Sequence, residues 1–212
     1  MTPFQSTSQF RQDEAIWLLS GCKTDGTFVD IGCGQPETHS NTCSLEQLGW
    51  TGICLDNETD GPIEWDRDSR FIKADATTFD WSDVGLPETP DYLSVDVDEA
   101  TPKALGRFLV HSDTLPLLAT VEHDIYQADP NRQHQIRSIM LAFDYIPLCL
   151  DVYPSEQWRQ IVWEDWWCRC DAVSPGLHAK LLSLHNIEEI IAALYDHRAQ
   201  NSSDCLGVTN PR

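Results

Sequence analysis

The segment Thr27-Phe-Val-Asp-Ile-Gly-Cys-Gly34 decides the fold prediction, because a short apolar run leads directly into two closely spaced glycines. Residues 27–31 are mostly β-branched or aromatic and follow Gly26, which is typical of a short buried strand. The glycines allow a tight turn and a close approach of the backbone to a ligand. Ligands of open α/β sheets bind at the carboxyl ends of strands, so residues 30–34, the glycine turn, form the first candidate site.

Apolar segments with strand and helix periodicity alternate along the rest of the chain. Further strands are predicted at Thr51–Leu55, Arg70–Lys73, Tyr92–Val95, Leu117–Val121 and Tyr145–Val152. Helices are predicted at Gln12–Leu19, from a Ser40 cap to Leu48, from Thr101-Pro102 to about Leu109, at Asn131–Phe143, and from an Asn186/Glu189 capping box to about Tyr195. This alternation implies βαβ units. The predicted fold class is therefore α/β and Rossmann-like, with a mainly parallel central sheet and helices on both faces.

Residues 153–185 lack clean periodicity but contain four tryptophans, namely Trp158, Trp163, Trp166 and Trp167. We expect part of this segment to be a strand and the rest to cover one end of the sheet, either as core or as a wall for an acceptor. Cys168 and Cys170 lie near His178, but their spacing matches none of the usual zinc patterns, so a zinc site is not expected. The tail after Gln200 is expected to fray.

Composition and charge limit the function classes. The 212 residues suit a single domain, and a hydrophobic content of 41% is enough for a buried core. The net charge of −20 disfavours binding to nucleic acid through its phosphates. Because we find neither a long apolar run nor a signal peptide, and the eight cysteines fit a reducing compartment, we expect a cytoplasmic protein without a membrane partner. The oligomeric state stays open.

Acidic residues follow the second and third predicted strands. Asp56 comes 24 residues after Gly32, where a carboxylate can accept hydrogen bonds from a ribose diol. Asp75-Ala76 follows the third strand, where a carboxylate can accept from the exocyclic amine of adenine. A dinucleotide fingerprint requires a third glycine, but this chain has Glu37 there. The pattern therefore favours S-adenosylmethionine, a nucleoside cofactor that has no pyrophosphate.

Several motifs together resemble the FkbM-type methyltransferases. They cover about residues 27–151 and comprise Phe28-Val-Asp-Ile-Gly-Cys-Gly34, Ser40-Asn-Thr42, Leu45-Glu46, Leu48-Gly-Trp-Thr-Gly-Ile-Cys54, Asp91-Tyr-Leu-Ser-Val-Asp-Val-Asp98 and Val121-Glu-His123. The resemblance implies S-adenosylmethionine as cofactor and O-methylation of a small molecule or sugar. Asp56 stands where the family often has Glu, and Gln35-Pro36 departs from the family pattern beside the methionine end. The candidate cofactor ligands are Asp30, Gly32, Gly34, Asn41, Asp56, Asp75, Ala76 and Asp96.

The fourth and fifth predicted strands also end in acidic residues. Asp96, Asp98 and Glu99 follow the fourth strand, and Glu122, His123 and Asp124 follow the fifth. Methyl transfer to oxygen needs a group that takes the acceptor proton, so the catalytic candidates are Asp96, Glu122 and His123. His123 has an unperturbed pKa near neutrality, but it equally suits a hydrogen bond to a loop. A divalent cation held by Asp96, Asp98 and Glu122 is an open alternative, which we rank below cofactor or acceptor contacts.

The sequence therefore predicts an S-adenosylmethionine-dependent methyltransferase that acts on a small-molecule or carbohydrate acceptor. Two alternatives come from other classes. One is an RNA or cap methyltransferase, against which the net charge of −20 argues. The other is a non-catalytic protein that keeps the fold for binding alone.

Overall fold

Seven strands form one sheet in the computed structural model, which describes residues 4–57, 63–82, 84–124 and 129–202. The strands are β1 (Thr27–Ile31), β2 (Thr51–Asp56), β3 (Arg70–Lys73), β4 (Tyr92–Val95), β5 (Leu118–Glu122), β6 (Tyr145–Val152) and β7 (Glu164–Arg169). Their order across the sheet is β3-β2-β1-β4-β5-β7-β6. The sequence order reverses between β1 and β4, which is the position where α/β sheets bind ligands.

The strand directions bring the ends of seven strands to a common edge. Strands β1 to β5 pair in parallel. Strand β7 is antiparallel to both β5 and β6. The carboxyl ends of β1 to β6 and the amino end of β7 therefore lie at the same edge, which we call the carboxyl edge.

Six α-helices cover the two faces of the sheet within the described ranges: α1 (Gln12–Leu19), α2 (Cys43–Gln47), α3 (Thr101–His111), α4 (Pro130–Ala142), α5 (Pro175–Leu181) and α6 (Ile187–Ser202). Helices α1, α2, α5 and α6 contribute to one hydrophobic cluster, and α3 and α4 contribute to the other. None of the helices described is both long and apolar enough to cross a bilayer.

Alternation along the strands builds the two clusters. Phe28 and Val29 are neighbours in β1, yet they belong to opposite clusters. Trp166 and Trp167 are likewise neighbours in β7 that belong to opposite clusters, and each is only 1% exposed. This is the period of two that a strand with both faces covered requires. The predicted Rossmann-like α/β sheet with helices on both faces is confirmed.

Most predicted elements lie where the sequence placed them. Helix α1 and strands β1, β3, β4 and β6 have the predicted bounds, and β2, β5 and α4 differ by a single residue at one or both ends. Asn186 accepts a hydrogen bond from the Glu188 amide and thus caps α6 (2.9 Å), although α6 continues to Ser202 rather than Tyr195. Most of the tail after Gln200, residues 203–212, lies outside the described residues.

One local prediction is wrong, and one helix was not predicted. The helix expected from Ser40 begins only at Cys43, because the Ser40 hydroxyl accepts from the amides of Thr42 and Cys43 in a turn instead of opening a helix. In the tryptophan-rich segment, the expected strand is present as β7, which lies between β5 and β6, so Trp166 and Trp167 are core residues. Helix α5 was not predicted, and its Ser174 cap accepts from the Leu177 amide (3.4 Å).

Candidate functional site

The glycine turn lies at the reversal point of the sheet and requires glycine. Gly32 has φ 80° and Gly34 has φ 58°, a region that favours glycine. A Cβ atom on Gly32 would lie 1.7 Å from the carbonyl oxygen of Asp96, whereas one on Gly34 would have no atom within 4 Å. The Gly32 amide donates to the Leu55 carbonyl (2.7 Å). The turn therefore packs tightly between the ends of β2 and β4.

Three of the predicted cofactor ligands line one small pocket beside this turn. Asp56, Asp75 and Ala76 surround it together with Leu55, Asn57, Ala74, Thr77, Val97 and Ala100. Asp56 also accepts a hydrogen bond from the Gly34 amide (3.1 Å). Asp56 and Asp75, which are far apart in sequence, thus lie together at the carboxyl edge.

Asp75 is held in a turn of its own. Its Oδ1 accepts from the hydroxyl and the amide of Thr77, at 2.7 and 2.8 Å. These two hydrogen bonds hold the pKa of Asp75 below its usual value. The carboxylate is exposed, so its ionised form faces the pocket with a fixed orientation.

Asp30 and Asn41 support the turn from below. Asp30 is 2% exposed and its Oδ2 accepts from the Thr42 hydroxyl (2.8 Å). Burial raises the pKa of Asp30, and the hydrogen bond from Thr42 acts against that rise. Asn41 donates from Nδ2 to the Ser94 hydroxyl (3.1 Å), and within the described chain its buried Oδ1 has no hydrogen-bond partner. A buried acceptor without a donor is costly unless a ligand supplies one.

Beyond β4 and β5 the carboxyl edge carries a group of three acids that we call the acid cluster: Asp96, Glu122 and Asp124. Their carboxylate oxygens lie within 4.8 Å of one another. Asp98 is in a 3-10 turn over Asp98–Ala100, and Asp124 takes the place in the group that the sequence suggested for Asp98. Arg132 lies 3.4 Å from Asp124 and partly neutralises the cluster.

The acid cluster holds protons near neutral pH. Desolvation and the nearby charges of Asp124 and Asp98 raise the pKa of Asp96 to about 6, against a hydrogen bond with Glu122. Desolvation and the charge of Asp96 raise the pKa of Glu122 far above its usual range. Like charges that share a site cannot all ionise, so the pair keeps a proton.

Glu164 joins this region through the antiparallel strand β7. It is 5% exposed and pairs in register with Glu122. Trp166 donates to it from the indole nitrogen (2.7 Å) and Gln12 from its amide (3.4 Å). Burial raises the pKa of Glu164 to about 7. No sequence pattern placed Glu164 at this site, since only the reversed direction of β7 brings its amino end to the carboxyl edge.

His123 is buried on the side of the sheet that α4 covers. It is 0% exposed, and its Nε2 lies 3.1 Å from the Gln133 amide nitrogen and 3.7 Å from Asp165. Its Nδ1 has no hydrogen-bond partner among the described residues. Asp165 is bound by Arg137 at two oxygens, at 2.8 and 2.9 Å, and Arg137 also binds Asp151 (2.8 Å). Of the three catalytic candidates, the structure places Asp96 and Glu122 together and His123 in this separate network.

Trp163 is the tryptophan of the segment that lies beside the end of β5. Its carbonyl accepts from the His123 amide (2.9 Å), and its ring packs on Phe10 with 4.9 Å between centroids. Trp158 lies further along the segment and is 46% exposed. Phe10 and Trp163 thus supply an aromatic surface near the end of β5.

Comparison with known proteins supports the fold. No family model matches the chain, and no curated protein matches it. Among solved structures, a chain from Lactococcus lactis called a "putative hemolysin" is 15% identical with a TM-score of 0.53, over 89% of this chain and 98% of that one. A "putative O-methyltransferase" from Klebsiella pneumoniae is 14% identical with a TM-score of 0.50, over 79% and 84%.

A third solved structure is the magnesium protoporphyrin IX methyltransferase of Synechocystis PCC 6803 with bound SAM. It is 13% identical with a TM-score of 0.47, over 74% of this chain and 77% of that one. Identities this low bear on fold alone. The chain has a Rossmann-like α/β fold that it shares with the Klebsiella pneumoniae structure, while the FkbM resemblance stays a hypothesis.

Proposed function

We propose that this protein is an S-adenosylmethionine-dependent methyltransferase that methylates an oxygen of a small-molecule or carbohydrate acceptor. The observation that carries the proposal is the pocket in which Asp56, Asp75 and Ala76 meet beside a turn that excludes any side chain at Gly32. Three ligand-type positions from two separate parts of the sequence, after β2 and after β3, converge there. The solved methyltransferases of the same fold support this interpretation, and the FkbM resemblance is consistent with it.

The described residues fit each part of the cofactor. The Asp56 carboxylate can accept hydrogen bonds from the ribose diol, and the Asp75 carboxylate can accept from the adenine amine. The Oδ1 of Asn41, which has no hydrogen-bond partner among the described residues, can accept from the amino group at the methionine end of the cofactor. Asp30 supports these contacts through Thr42, and Asp96 borders the turn through its carbonyl. The cofactor supplies an electrophilic methyl group when bound.

The acid cluster serves the acceptor in this proposal. Asp96, with its pKa raised to about 6, is mainly ionised at pH 7 but close enough to neutrality to work as a general base. Asp96 would take the proton from the acceptor hydroxyl, while bound S-adenosylmethionine would supply the methyl group by loss of its S–CH3 bond and leave as S-adenosylhomocysteine. Glu122 keeps its own proton and holds Asp96 by a hydrogen bond. We assign the cluster to proton uptake rather than to a cation, because Arg132 already neutralises Asp124 in part.

The acceptor is expected to be uncharged or cationic. The net charge of −20 and the acids at the ends of β4, β5 and β7 disfavour phosphate-rich acceptors such as RNA. Phe10 and Trp163 form an aromatic surface of the kind on which sugar rings or flat apolar groups pack.

Calorimetric titration with S-adenosylhomocysteine tests the cofactor assignment. We expect saturable heat with micromolar ligand, and weaker binding to an Asp56→Asn chain. NAD is the control ligand and should not bind, because the position of a third glycine is Glu37. Absence of binding to the parent protein at millimolar S-adenosylhomocysteine would refute the proposal. Methyl transfer that continues in the presence of a metal chelator would support the assignment of the acid cluster to proton uptake rather than to cation binding.

A further inference from the structure

Arg67 has a buried side chain, and no sequence pattern pointed to a function for it. Only 5% of its side chain is exposed. Its Nη1 donates to the Pro36 carbonyl (3.1 Å) and the Ser40 hydroxyl (3.0 Å), and its Nη2 donates to the Thr42 hydroxyl (3.0 Å). All three acceptors belong to residues 35–42, the loop that follows the glycine turn. One side chain thus contacts this loop at three points.

The other side of Arg67 is anchored just as firmly. Glu46 accepts from its Nε and Nη2, at 3.2 and 3.0 Å, and also accepts from the amides of Asp68 and Ser69. The guanidinium lies over the Trp65 ring, 4.9 Å from the centroid. Burial alone would raise the pKa of Glu46, but the hydrogen bond from Ser69 and the charge of Arg67 bring that pKa below its usual value. The ion pair is therefore fully charged at neutral pH, and Arg67 is held in one orientation.

The contacts of Arg67 lead to the glycine turn. Thr42, which receives one of its hydrogen bonds, donates in turn to Asp30 in that turn (2.8 Å). Asn41 lies between two residues that Arg67 holds, Ser40 and Thr42, and its Oδ1 is buried without a partner in the part of the chain described. The side chains on both sides of Asn41 are thus held by one planar group, and a guanidinium offers this geometry because its donors form a rigid fork.

We propose that Arg67 is a positioning residue that sets loop 35–42 and thereby directs the Asn41 amide to the methionine end of the cofactor. This inference rests on the proposed function for its ligand, but the ordering of the loop by Arg67 is a property of the protein without ligand. Arg67 acts through Asn41 and Thr42 and does not touch the cofactor itself.

Two variants separate positioning from general stability. Arg67→Lys keeps the charge but can reach fewer partners at once. Arg67→Met combined with Glu46→Gln removes both charges of the buried pair, so that no charge is left unpaired. The matched control is Lys23→Met, which removes the ion pair of Lys23 with Asp91 near the opposite end of β1 (2.5 Å). Each chain is studied without ligand by amide hydrogen exchange and with S-adenosylhomocysteine by calorimetry.

We expect amide exchange in residues 35–42 to accelerate by about tenfold or more in both Arg67 variants, with β1 and β2 unchanged as the internal reference. The dissociation constant for S-adenosylhomocysteine should rise by about tenfold, with Arg67→Lys intermediate, and Lys23→Met should match the parent. At saturating cofactor, kcat should change far less than the KM for the cofactor.

Exchange in loop 35–42 that stays at the parent rate in Arg67→Lys and in the double variant would overturn the inference. If the double variant does not fold, amide exchange in loop 35–42 of the Arg67→Lys chain tests the inference by itself. Failure of the parent to bind S-adenosylhomocysteine would refute the proposed function instead, and the exchange rates of the loop would still decide whether Arg67 orders it.

Discussion

Two halves of the carboxyl edge differ in the state of their acids. The proposed cofactor half, formed by β1 to β3, presents Asp75 as an exposed carboxylate whose pKa is lowered by hydrogen bonds from Thr77. The proposed acceptor half, formed by β4 to β7, contains Asp96 and Glu164 with pKa values raised to about 6 and about 7 by desolvation. Asp75 is therefore a fixed hydrogen-bond acceptor, whereas Asp96 and Glu164 can hold a proton near neutral pH. Burial also raises the pKa of Asp30 in β1, so the contrast lies between Asp75 and the acids of the acceptor half.

The difference follows from the strand connections. The ends of β2 and β3 are near an edge of the sheet and lead into an open pocket. The ends of β4 and β5 lie between other strands, and β7 places Glu164 and Asp165 beside them. Asp96, Glu122 and Glu164 lose solvent and repel nearby acids, which favours their neutral forms. Asp165 differs, because its hydrogen bonds with Arg137 bring its pKa below the usual value in spite of burial.

The largest expected effect is on the turn that joins the halves. A Gly32→Ala substitution brings a Cβ to 1.7 Å from the Asp96 carbonyl at a φ of 80°. We expect it to destabilise the protein by more than about 4 kcal/mol, enough to prevent folding. Gly34→Ala is the control, since it has the same kind of φ but open space, and should cost only about 1 kcal/mol. Urea unfolding measures both, and equal values would contradict the packing described.

The next effect tests the buried ion pair of the acceptor half. Arg137→Met leaves Asp165, which is 0% exposed, without its bidentate partner. We expect a loss of about 3 to 5 kcal/mol in the free energy of unfolding. Arg159→Met removes an exposed pair with Glu156 and should cost less than about 1 kcal/mol. If thermal unfolding shows similar midpoints for the two variants, the ion pair of Arg137 with Asp165 contributes no more to stability than the exposed pair.

A third prediction concerns pH. The pKa of Glu164 is about 7 in the folded protein, against 4.5 as its ordinary value, so the folded state binds the proton more tightly. Its contribution to stability is complete below about pH 4.5 and is lost as pH rises through about 7, a change of up to about 3 kcal/mol. Glu164→Gln keeps one oxygen that accepts from Trp166 but should remove this part of the pH dependence. Urea titrations of both chains at pH 5 and pH 8 measure it. If the free energy of unfolding changes by the same amount between the two pH values in both chains, Glu164 does not titrate in this range.

The smallest effect is on the open pocket. Asp75→Ala removes an exposed carboxylate and should leave stability nearly unchanged, while S-adenosylhomocysteine binding weakens by about tenfold, or about 1.4 kcal/mol. Calorimetry at constant salt measures the change. Asp80→Ala is a suitable control, because Asp80 is also an exposed acid held by its own turn but lies outside the pocket. If Asp75→Ala binds as well as the parent, the adenine end has been misplaced.

Strand periodicity and glycine chemistry are local properties, and for this reason the sequence was sufficient to predict them. The bounds of β1, β3, β4 and β6, the tight glycine turn and the positions of Asp56 and Asp75 after their strands could all be read without coordinates. The prediction for Ser40 was wrong because a serine can close a turn on the same amides that a helix cap would bind.

Interactions between distant residues could not be predicted in this way. Glu164 reaches the acid cluster only because β7 runs antiparallel between β5 and β6, and Arg67 reaches loop 35–42 across more than 20 residues of sequence. His123 and Glu122 are neighbours in sequence, yet they belong to different polar groups. The sequence by itself thus determined the fold class and the glycine turn. Only the tertiary structure decided which acids share a proton, because a pKa depends on burial and on charges that folding alone brings together.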